Sequence, residues 1–113
     1  MDKITKYRNI VEKYLRHRAT LGLASSPGAK GHLVVDREKD EYVLLWVGWS
    51  GVNYKHGLMF HLQIKEGKVW IHENRTDIDI VQLLNEAGVS KSDIVLGFVA
   101  PYTSEIGSVA MRA

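Results

Sequence analysis

The start of the chain carries apolar residues at spacings of three and four, the period of one helical stripe. This pattern predicts a helix from about Asp2 to Arg18. Its apolar stripe consists of Ile4, Tyr7, Val11, Tyr14 and Leu15. Glycine, serine and proline in residues 22–31 then break the pattern. Because that segment lacks the spacing of a phosphate-binding loop, we predict a linker there.

Short runs of β-forming residues follow the linker, and turn signals or charged residues separate them. They predict a meander of four antiparallel strands at residues 32–36, 42–49, 57–65 and 68–72. The charged residues 37–41 separate the first two strands. The later turns are predicted at Gly51-Val52-Asn53 and at Glu66-Gly67.

The chain then returns to a helical pattern. Thr76 to Asp79 matches a capping box, which predicts a helix start there, and Gly88 predicts its stop. The apolar face of this helix consists of Ile80, Leu83, Leu84 and Ala87. A second short helix is predicted at residues 90–93, before a strand-like run at 94–99 that Pro101 ends.

Length and composition agree with one compact domain. The chain has 113 residues, of which 45% are hydrophobic, enough for one core and too few for two. We therefore predict a single α+β domain over residues 1–113. An antiparallel meander sheet of four to five strands would pack, in two layers, against the N-terminal helix and the later helix.

Cellular location is constrained by what the sequence lacks. The longest apolar run, residues 42–49, is much shorter than a membrane helix needs. The N-terminal residues show no secretory signal pattern, so we expect a cytoplasmic protein with no membrane contact. The absence of cysteine excludes disulfides and thiolate chemistry.

The hairpin around Glu66-Gly67 is predicted to bring two histidines together. A two-residue type I′ turn pairs Lys65 with Lys68 and, further along the ladder, His61 with His72. Alternation predicts a core face made of Leu58, Phe60, Leu62, Ile64, Val69 and Ile71. The opposite face then carries Met59, His61, Gln63, Trp70 and His72.

Two facing imidazoles could begin a metal site, but such a site needs three or four ligands. The nearest carboxylate, Glu73, is predicted to alternate onto the other face, so we expect no metal and no cofactor. Spacing places no nucleophile beside either ring. Glu66-Gly67-Lys68 and Gln63-Ile64-Lys65 resemble the acid/amide-x-lysine element of magnesium nucleases, but neither has a placed carboxylate cluster. A small metal-dependent hydrolase or nuclease subunit therefore stays as the alternative function.

The second face of the sheet is predicted to bind a partner. Residues 42–49 are apolar on both alternating sets, and two short helices can cover only one face of such a sheet. Met59, His61, Trp70 and His72 extend that second face and are the predicted partner-binding residues. The partner is predicted to be a companion protein or a second copy of the chain.

Basic residues concentrate in the first helix. Residues 1–30 hold seven Lys or Arg against two acidic residues, a balance of +5, whereas the rest holds eight against eleven, a balance of −3. Lys3, Lys6, Lys13 and Arg16 lie largely off the apolar stripe and are the candidate DNA contacts. A solvated helix face without any ligand is the alternative interpretation.

Three segments carry a resemblance to a known family. They are VVDREKDEYVLLWVGW, HLQIKEGKVWIHEN and LLNEAGVSKSDIVLGFVAPY, and they resemble the XisI family, the fdxN element excision controlling factors of cyanobacteria. The resemblance extends from Met1 to about the C-terminus. It implies a small α+β protein without recombinase activity that accompanies a companion called XisH and controls the excision of a DNA element.

The sequence also departs from the family pattern. A histidine commonly follows the Gly-Phe pair in the family, and a basic residue follows the later proline. Here Val99 and the run Thr103-Ser104-Glu105 occupy those places. We therefore predict a non-enzymatic accessory or regulatory factor that acts through an XisH-like companion, with no function assigned to the C-terminal loop.

Overall fold

The computed structural model describes residues 2–23 and 25–99. The elements, in chain order, are α1 (Lys3–Leu21), β1 (Lys30–Asp36), β2 (Glu41–Ser50), β3 (Asn53–Lys65), β4 (Lys68–Asn74), α2 (Ile80–Ala87), a 3-10 turn (Lys91–Asp93) and β5 (Ile94–Leu96). The strands form one open sheet in the order β1-β2-β3-β4-β5. The predicted α+β class and the four-strand antiparallel meander are confirmed.

The fifth strand makes the sheet mixed. β5 pairs with β4 in parallel, with Val69 beside Ile94 and Ile71 beside Leu96. The direction follows from the connection, because α2 carries the chain back across the sheet between the two strands. The strand ends at Leu96, before the predicted limit at Val99, and Pro101 and Thr103-Ser104-Glu105 lie outside the described residues.

Helix α1 is fixed at both ends by local chemistry. The Asp2 carboxylate accepts a hydrogen bond from the Thr5 backbone N–H at 2.8 Å, which caps the first turn. The helix runs three residues past the predicted end at Arg18, until Gly22 adopts a φ of 66° that stops it. No helix in residues 2–23 and 25–99 is long and apolar enough to cross a membrane.

Both helices pack on the same face of the sheet. The buried core contains Tyr7, Val11 and Leu15 from α1, Ile80 and Leu84 from α2, and Tyr42, Leu44, Phe60, Leu62, Ile64, Val69 and Ile71 from the sheet. Three residues of the predicted α1 stripe are thus buried, and the other two, Ile4 and Tyr14, are partly buried against the core. The burial of these apolar side chains supplies the main driving force for folding. The opposite side of the sheet, which we call the outer face, carries half-buried Val43, Leu45 and Val47.

The start of α2 corrects the prediction of a capping box at Thr76. The N-cap is Asp79, whose carboxylate accepts from the Gln82 N–H at 3.0 Å. Thr76 instead belongs to a preceding turn, where its hydroxyl accepts from the Ile78 N–H and its own N–H donates to Asn74. Such side-chain bonds satisfy the backbone without a helix, so the helix begins later. The predicted stop at Gly88 is confirmed by its φ of 122°.

A β-bulge in β3 corrects the predicted face of Met59. Leu44 pairs with Phe60 and Leu45 with Leu58, so Met59 is an extra residue on β3. Met59 and Phe60 therefore point to the same side, and Met59 is buried in the core with 1% exposure. Leu58 shares the outer face with its neighbour Leu45. Met59 thus does not belong to the surface that the alternation predicted.

The hairpin turn between β3 and β4 is as predicted. Glu66 has a φ of 56° and Gly67 a φ of 75°, which are the two positive values that a type I′ turn requires. The ladder next to it pairs Lys65 with Lys68 and Gln63 with Trp70. This turn fixes the register of the strands that carry the candidate site.

Candidate functional site

The candidate site occupies the end of the outer face near the Glu66-Gly67 turn. The predicted residues His61, Trp70 and His72 all lie there, together with Gln63. Each comes from β3 or β4, so a rigid hairpin holds the set. Met59 is the one predicted partner-binding residue that the structure places elsewhere, in the core.

A second bulge changes how the two histidines meet. His61 pairs with Glu73 and Leu62 with Ile71, so His72 is the extra residue on β4 and is not the partner of His61. The predicted His61 to His72 pairing is therefore wrong, although the ring centroids lie 4.8 Å apart. The same bulge corrects the prediction for Glu73, which shares the face of His61.

Hydrogen bonds orient both imidazole rings. The Gln63 amide nitrogen donates to the Lys39 carbonyl at 3.3 Å, which leaves Gln63 Oε1 directed at His72 Nε2, at 2.8 Å. Because an amide oxygen can only accept, His72 must carry its proton on Nε2. His61 Nε2 lies 2.8 Å from Glu41 Oε1, so it also donates. Each ring is thus fixed by its own acceptor.

The surroundings of His72 favour its neutral form. Burial lowers the pKa of His72 below the usual histidine value, and the nearby His61 lowers it further. Gly97 allows this arrangement, because a Cβ at that position would lie 2.7 Å from His72 Nδ1. The segment after β5 therefore lies against the ring of His72. The lowered pKa means that the neighbour of His61 is an uncharged imidazole.

Trp70 is held as firmly as the histidines. Its indole Nε1 donates to the Lys65 carbonyl at 3.1 Å, and Lys65 Nζ lies 4.2 Å from the ring centroid. Its ring also stacks on His72 with centroids 6.2 Å apart. We call the set Trp70, His61, His72 and Gln63 the histidine-tryptophan surface. It is a preorganised mixture of aromatic and polar groups, of the kind enriched at protein interfaces.

A second aromatic pair lies at the other end of the outer face. Trp49 and Tyr54 pair across β2 and β3, with ring centroids 5.3 Å apart. They are 63% and 53% exposed, and the neighbouring turn residue Val52 is 90% exposed. Sequence reasoning did not select this pair as a site. The signal was available, since both residues flank the predicted turn at Gly51-Val52-Asn53 and Trp49 belongs to the outer alternating set.

The described residues do not bring together the groups that metal or nuclease chemistry needs. Residues 2–23 and 25–99 contain no group of three His, Asp or Glu side chains placed to hold a metal ion. The Nε2 atoms of His61 and His72 are already hydrogen-bonded to Glu41 and Gln63, respectively. Glu66 is in the turn, where its exposed side chain has no carboxylate cluster around it.

The basic residues of α1 divide into paired and unpaired side chains. Lys3 forms an ion pair with Asp93 at 3.4 Å, and Arg16 forms one with Glu12 at 2.7 Å. Lys6 and Lys13 are exposed and make no ion pair with any residue that the structure describes. The four candidate DNA contacts are therefore not equivalent, because Lys3 and Arg16 have an internal ion-pair partner and Lys6 and Lys13 have none among the described residues.

The fold and this surface define a small α+β protein with one covered sheet face and one aromatic, histidine-bearing face. The sequence model of the XisI family, described as XisI protein, matches residues 1–111. The chain belongs to the XisI family. Comparison with curated proteins found no match.

Two solved structures from Anabaena variabilis are similar to this chain. One is a XisI-like protein with 36% identity and a TM-score of 0.76, over 88% of this chain and 90% of that chain. The other is the fdxN element excision controlling factor XisI, with 33% identity and a TM-score of 0.70, over 90% of this chain and 98% of that chain. Both cover nearly the whole described fold.

Proposed function

We propose that this protein is a non-enzymatic accessory factor in the control of DNA element excision, acting in the cytoplasm through a companion protein of the XisH type. Membership of the XisI family and the likeness to an excision controlling factor support the process. The observation that carries the binding role is the histidine-tryptophan surface, whose side chains are fixed by hydrogen bonds and ring contacts. The companion binds at this surface.

The physics of interfaces favours the outer face for this role. Rigid aromatic anchors lose little conformational entropy on binding, and truncating a buried anchor commonly costs about 2 kcal/mol or more. Trp70 is such an anchor, while Val43, Leu45 and Val47 provide the apolar area between the two aromatic ends of the face. The companion therefore covers β2, β3 and β4 and leaves the helices exposed.

Affinity measurements with the purified companion test this proposal. Trp70→Ala should weaken binding by about thirtyfold, the equivalent of a 2 kcal/mol anchor. Leu21→Ala is the matched control, because Leu21 is also a large apolar residue, 61% exposed, but lies on α1. Unchanged affinity in Trp70→Ala, or an equal loss in Leu21→Ala, would contradict the proposed surface.

The pH response provides a second test of the same surface. Protonation of His72 would place a positive charge within this surface, with its ring centroid 4.8 Å from that of His61. Because the pKa of His72 is lowered, the loss of companion binding should occur below the usual histidine range. A folded protein whose companion affinity does not fall on acidification would contradict the participation of His72.

The alternative, a small metal-dependent hydrolase or nuclease subunit, makes a distinct prediction. It requires stoichiometric zinc, or magnesium-dependent cleavage of DNA, that is lost in a His61→Ala/His72→Ala variant. The accessory-factor proposal expects neither the metal nor the cleavage. Metal analysis and a DNA cleavage assay of the purified protein, alone and with the companion, separate the two.

A further inference from the structure

Strand β1 is an edge of the sheet. It pairs with β2 on one side, from Lys30 opposite Val47 to Asp36 opposite Glu41, and has no strand on its other side among the described residues. In an antiparallel ladder, alternate residues direct both backbone N–H and C=O groups away from the neighbour. Within residues 2–23 and 25–99, no backbone hydrogen bond outside the β2 ladder involves β1. The edge is therefore available for pairing.

Apart from the charged residues at its two ends, this edge lacks the usual protection against strand addition. It is seven residues long, contains no proline and has no bulge in its ladder with β2. Val34 is 53% exposed on one side, and Leu33 and Val35 remain only half-buried beside the core. The opposite edge differs, because β5 has only three residues. An exposed apolar edge of this kind marks a site of strand pairing.

We propose that β1 pairs in antiparallel fashion with β1 of a second copy of this chain, about a two-fold axis at Leu33. Only the register centred on Leu33 pairs all seven residues of both strands. It places Lys30 opposite Asp36 of the second copy at each end of the ladder. It also places His32 opposite Val34, so every residue meets a residue of the same face.

Charge complementarity identifies a second copy as the occupant. Lys30 makes no ion pair with any described residue, and Asp36 accepts the N–H groups of Glu38 and Lys39 through Oδ1, which leaves Oδ2 for Lys30 of the other copy. Both ends of the ladder are satisfied at once, because a two-fold axis repeats every contact. A parallel arrangement would instead place Lys30 opposite Lys30, which is unfavourable.

The pairing has consequences for the rest of the molecule. It joins two five-stranded sheets into one of ten strands and buries the half-buried Leu33 and Val35 further at the junction. The histidine-tryptophan surface lies on β3 and β4, beyond β2, and stays open in the dimer. Self-association and companion binding are therefore separate properties of this fold.

Charge reversal tests the proposed register. In the dimer, Lys30→Glu alone places two carboxylates opposite each other at both ends of the ladder, and Asp36→Lys alone places two ammonium groups there. Each variant should dimerise on the order of tenfold more weakly than the wild-type chain in sedimentation velocity experiments. In an equimolar mixture of the two variants, one copy of the heterodimer carries carboxylates at both positions and the other carries ammonium groups at both, so each end of the ladder again joins a carboxylate to an ammonium group. This heterodimer should form with nearly wild-type affinity.

Controls separate the register from general effects. Lys91→Glu changes the same charge at an exposed position next to β5, at the far edge of the sheet, and should leave the dimer unchanged. Trp70→Ala should also leave it unchanged, whatever its effect on the companion. Asp36→Lys loses the hydrogen bonds that Asp36 accepts in the turn after β1, and this loss alone can prevent folding. In that case Lys30→Glu is compared with Lys30→Gln. The proposed register requires that charge reversal at Lys30 weakens the dimer more than charge neutralisation does.

Three results would overturn this inference. The first is a wild-type chain that remains monomeric at every concentration. The second is a dimer that tolerates Lys30→Glu as well as it tolerates Lys91→Glu. The third is a mixture of the two folded reversal variants that associates no better than either variant alone.

Discussion

The hydroxyl of Tyr7 donates a 2.6 Å hydrogen bond to Oδ2 of Asp93, which lies 86 residues further along the chain. The same hydroxyl accepts from the Ser90 N–H at 3.3 Å, and Lys3 Nζ lies 3.4 Å from the same carboxylate oxygen. The hydrogen bond from Tyr7 lowers the pKa of Asp93, and the contact with Lys3 lowers it further. The start of α1 is thereby joined to the segment that leads into β5.

Tyr7→Phe should lower the stability of the fold more at neutral pH than in acid. The folded pKa of Asp93 is below its unfolded value, so the ionised carboxylate contributes stability above the ordinary Asp pKa of about 3.9. That contribution is lost as the pH falls through the lowered value. Urea unfolding of wild type and Tyr7→Phe at about pH 7 and about pH 2.5 measures the difference. An equal loss at both pH values would contradict the charge-assisted role of this bond.

Gly67→Val should destabilise the fold by roughly 1 kcal/mol or more, because a β-branched residue resists positive φ. The cost comes from the backbone and not from crowding, since a Cβ at Gly67 would approach only the flexible end of Lys3, at 3.7 Å. Gly67→Asn is the matched variant, as asparagine tolerates this conformation. Equal unfolding free energies for the valine and asparagine variants would show that φ at Gly67 carries no such cost.

Acidification should destabilise the free protein through His72. Its folded pKa is lowered, so the unfolded chain takes up this proton more readily, and stability falls as the pH drops through about 6.5, the unfolded value. His72→Gln should reduce this pH dependence, because its side chain cannot be protonated. Thermal unfolding at about pH 7.5 and about pH 5.5 tests the expectation. If the stability of His72→Gln depended on pH as strongly as that of the wild type, groups other than His72 would be responsible.

Lys6→Gln/Lys13→Gln should leave the melting temperature almost unchanged and should weaken any DNA binding. These two lysines have no ion pair among the described residues, whereas Lys3 and Arg16 are paired with Asp93 and Glu12. DNA affinity through unpaired lysines falls steeply with salt concentration. Titrations of labelled duplex DNA at two salt concentrations, with Lys3→Gln/Arg16→Gln for comparison, provide the measurement. If the DNA affinity changed neither with salt concentration nor with Lys6→Gln/Lys13→Gln, the electrostatic interpretation would be wrong.

The helices and the meander could be predicted because the spacing of apolar residues and the turn and cap residues are local properties of the sequence. The stripe of α1, the type I′ turn and the stop at Gly88 each depend on residues within a few positions of one another. The direction of β5 could not be predicted in this way, because a three-residue strand carries no signal for parallel pairing.

The candidate site was predicted in part. Alternation placed His61, Trp70 and His72 on the outer face, where the structure has them, and their role in binding stays a prediction. Alternation failed at Met59 and for the partner of His61, because each bulge inserts one residue without a change in the apolar pattern. Trp49 and Tyr54 were missed although both flank the predicted turn at Gly51-Val52-Asn53, because site residues were predicted only on the hairpin around Glu66-Gly67.

The parallel pairing of β5 also sets an order of assembly. Hairpins join β1 to β4 through short turns, so this part of the sheet can form from contacts between residues close in sequence. β5 can dock only after the crossover through α2, when most of the chain has left the ribosome. Gly97 would then reach the ring of His72 at the end of folding, and we expect amides of β5 to exchange hydrogen faster than those of β3. Newly made chains would thus present His72 to solvent until β5 pairs with β4.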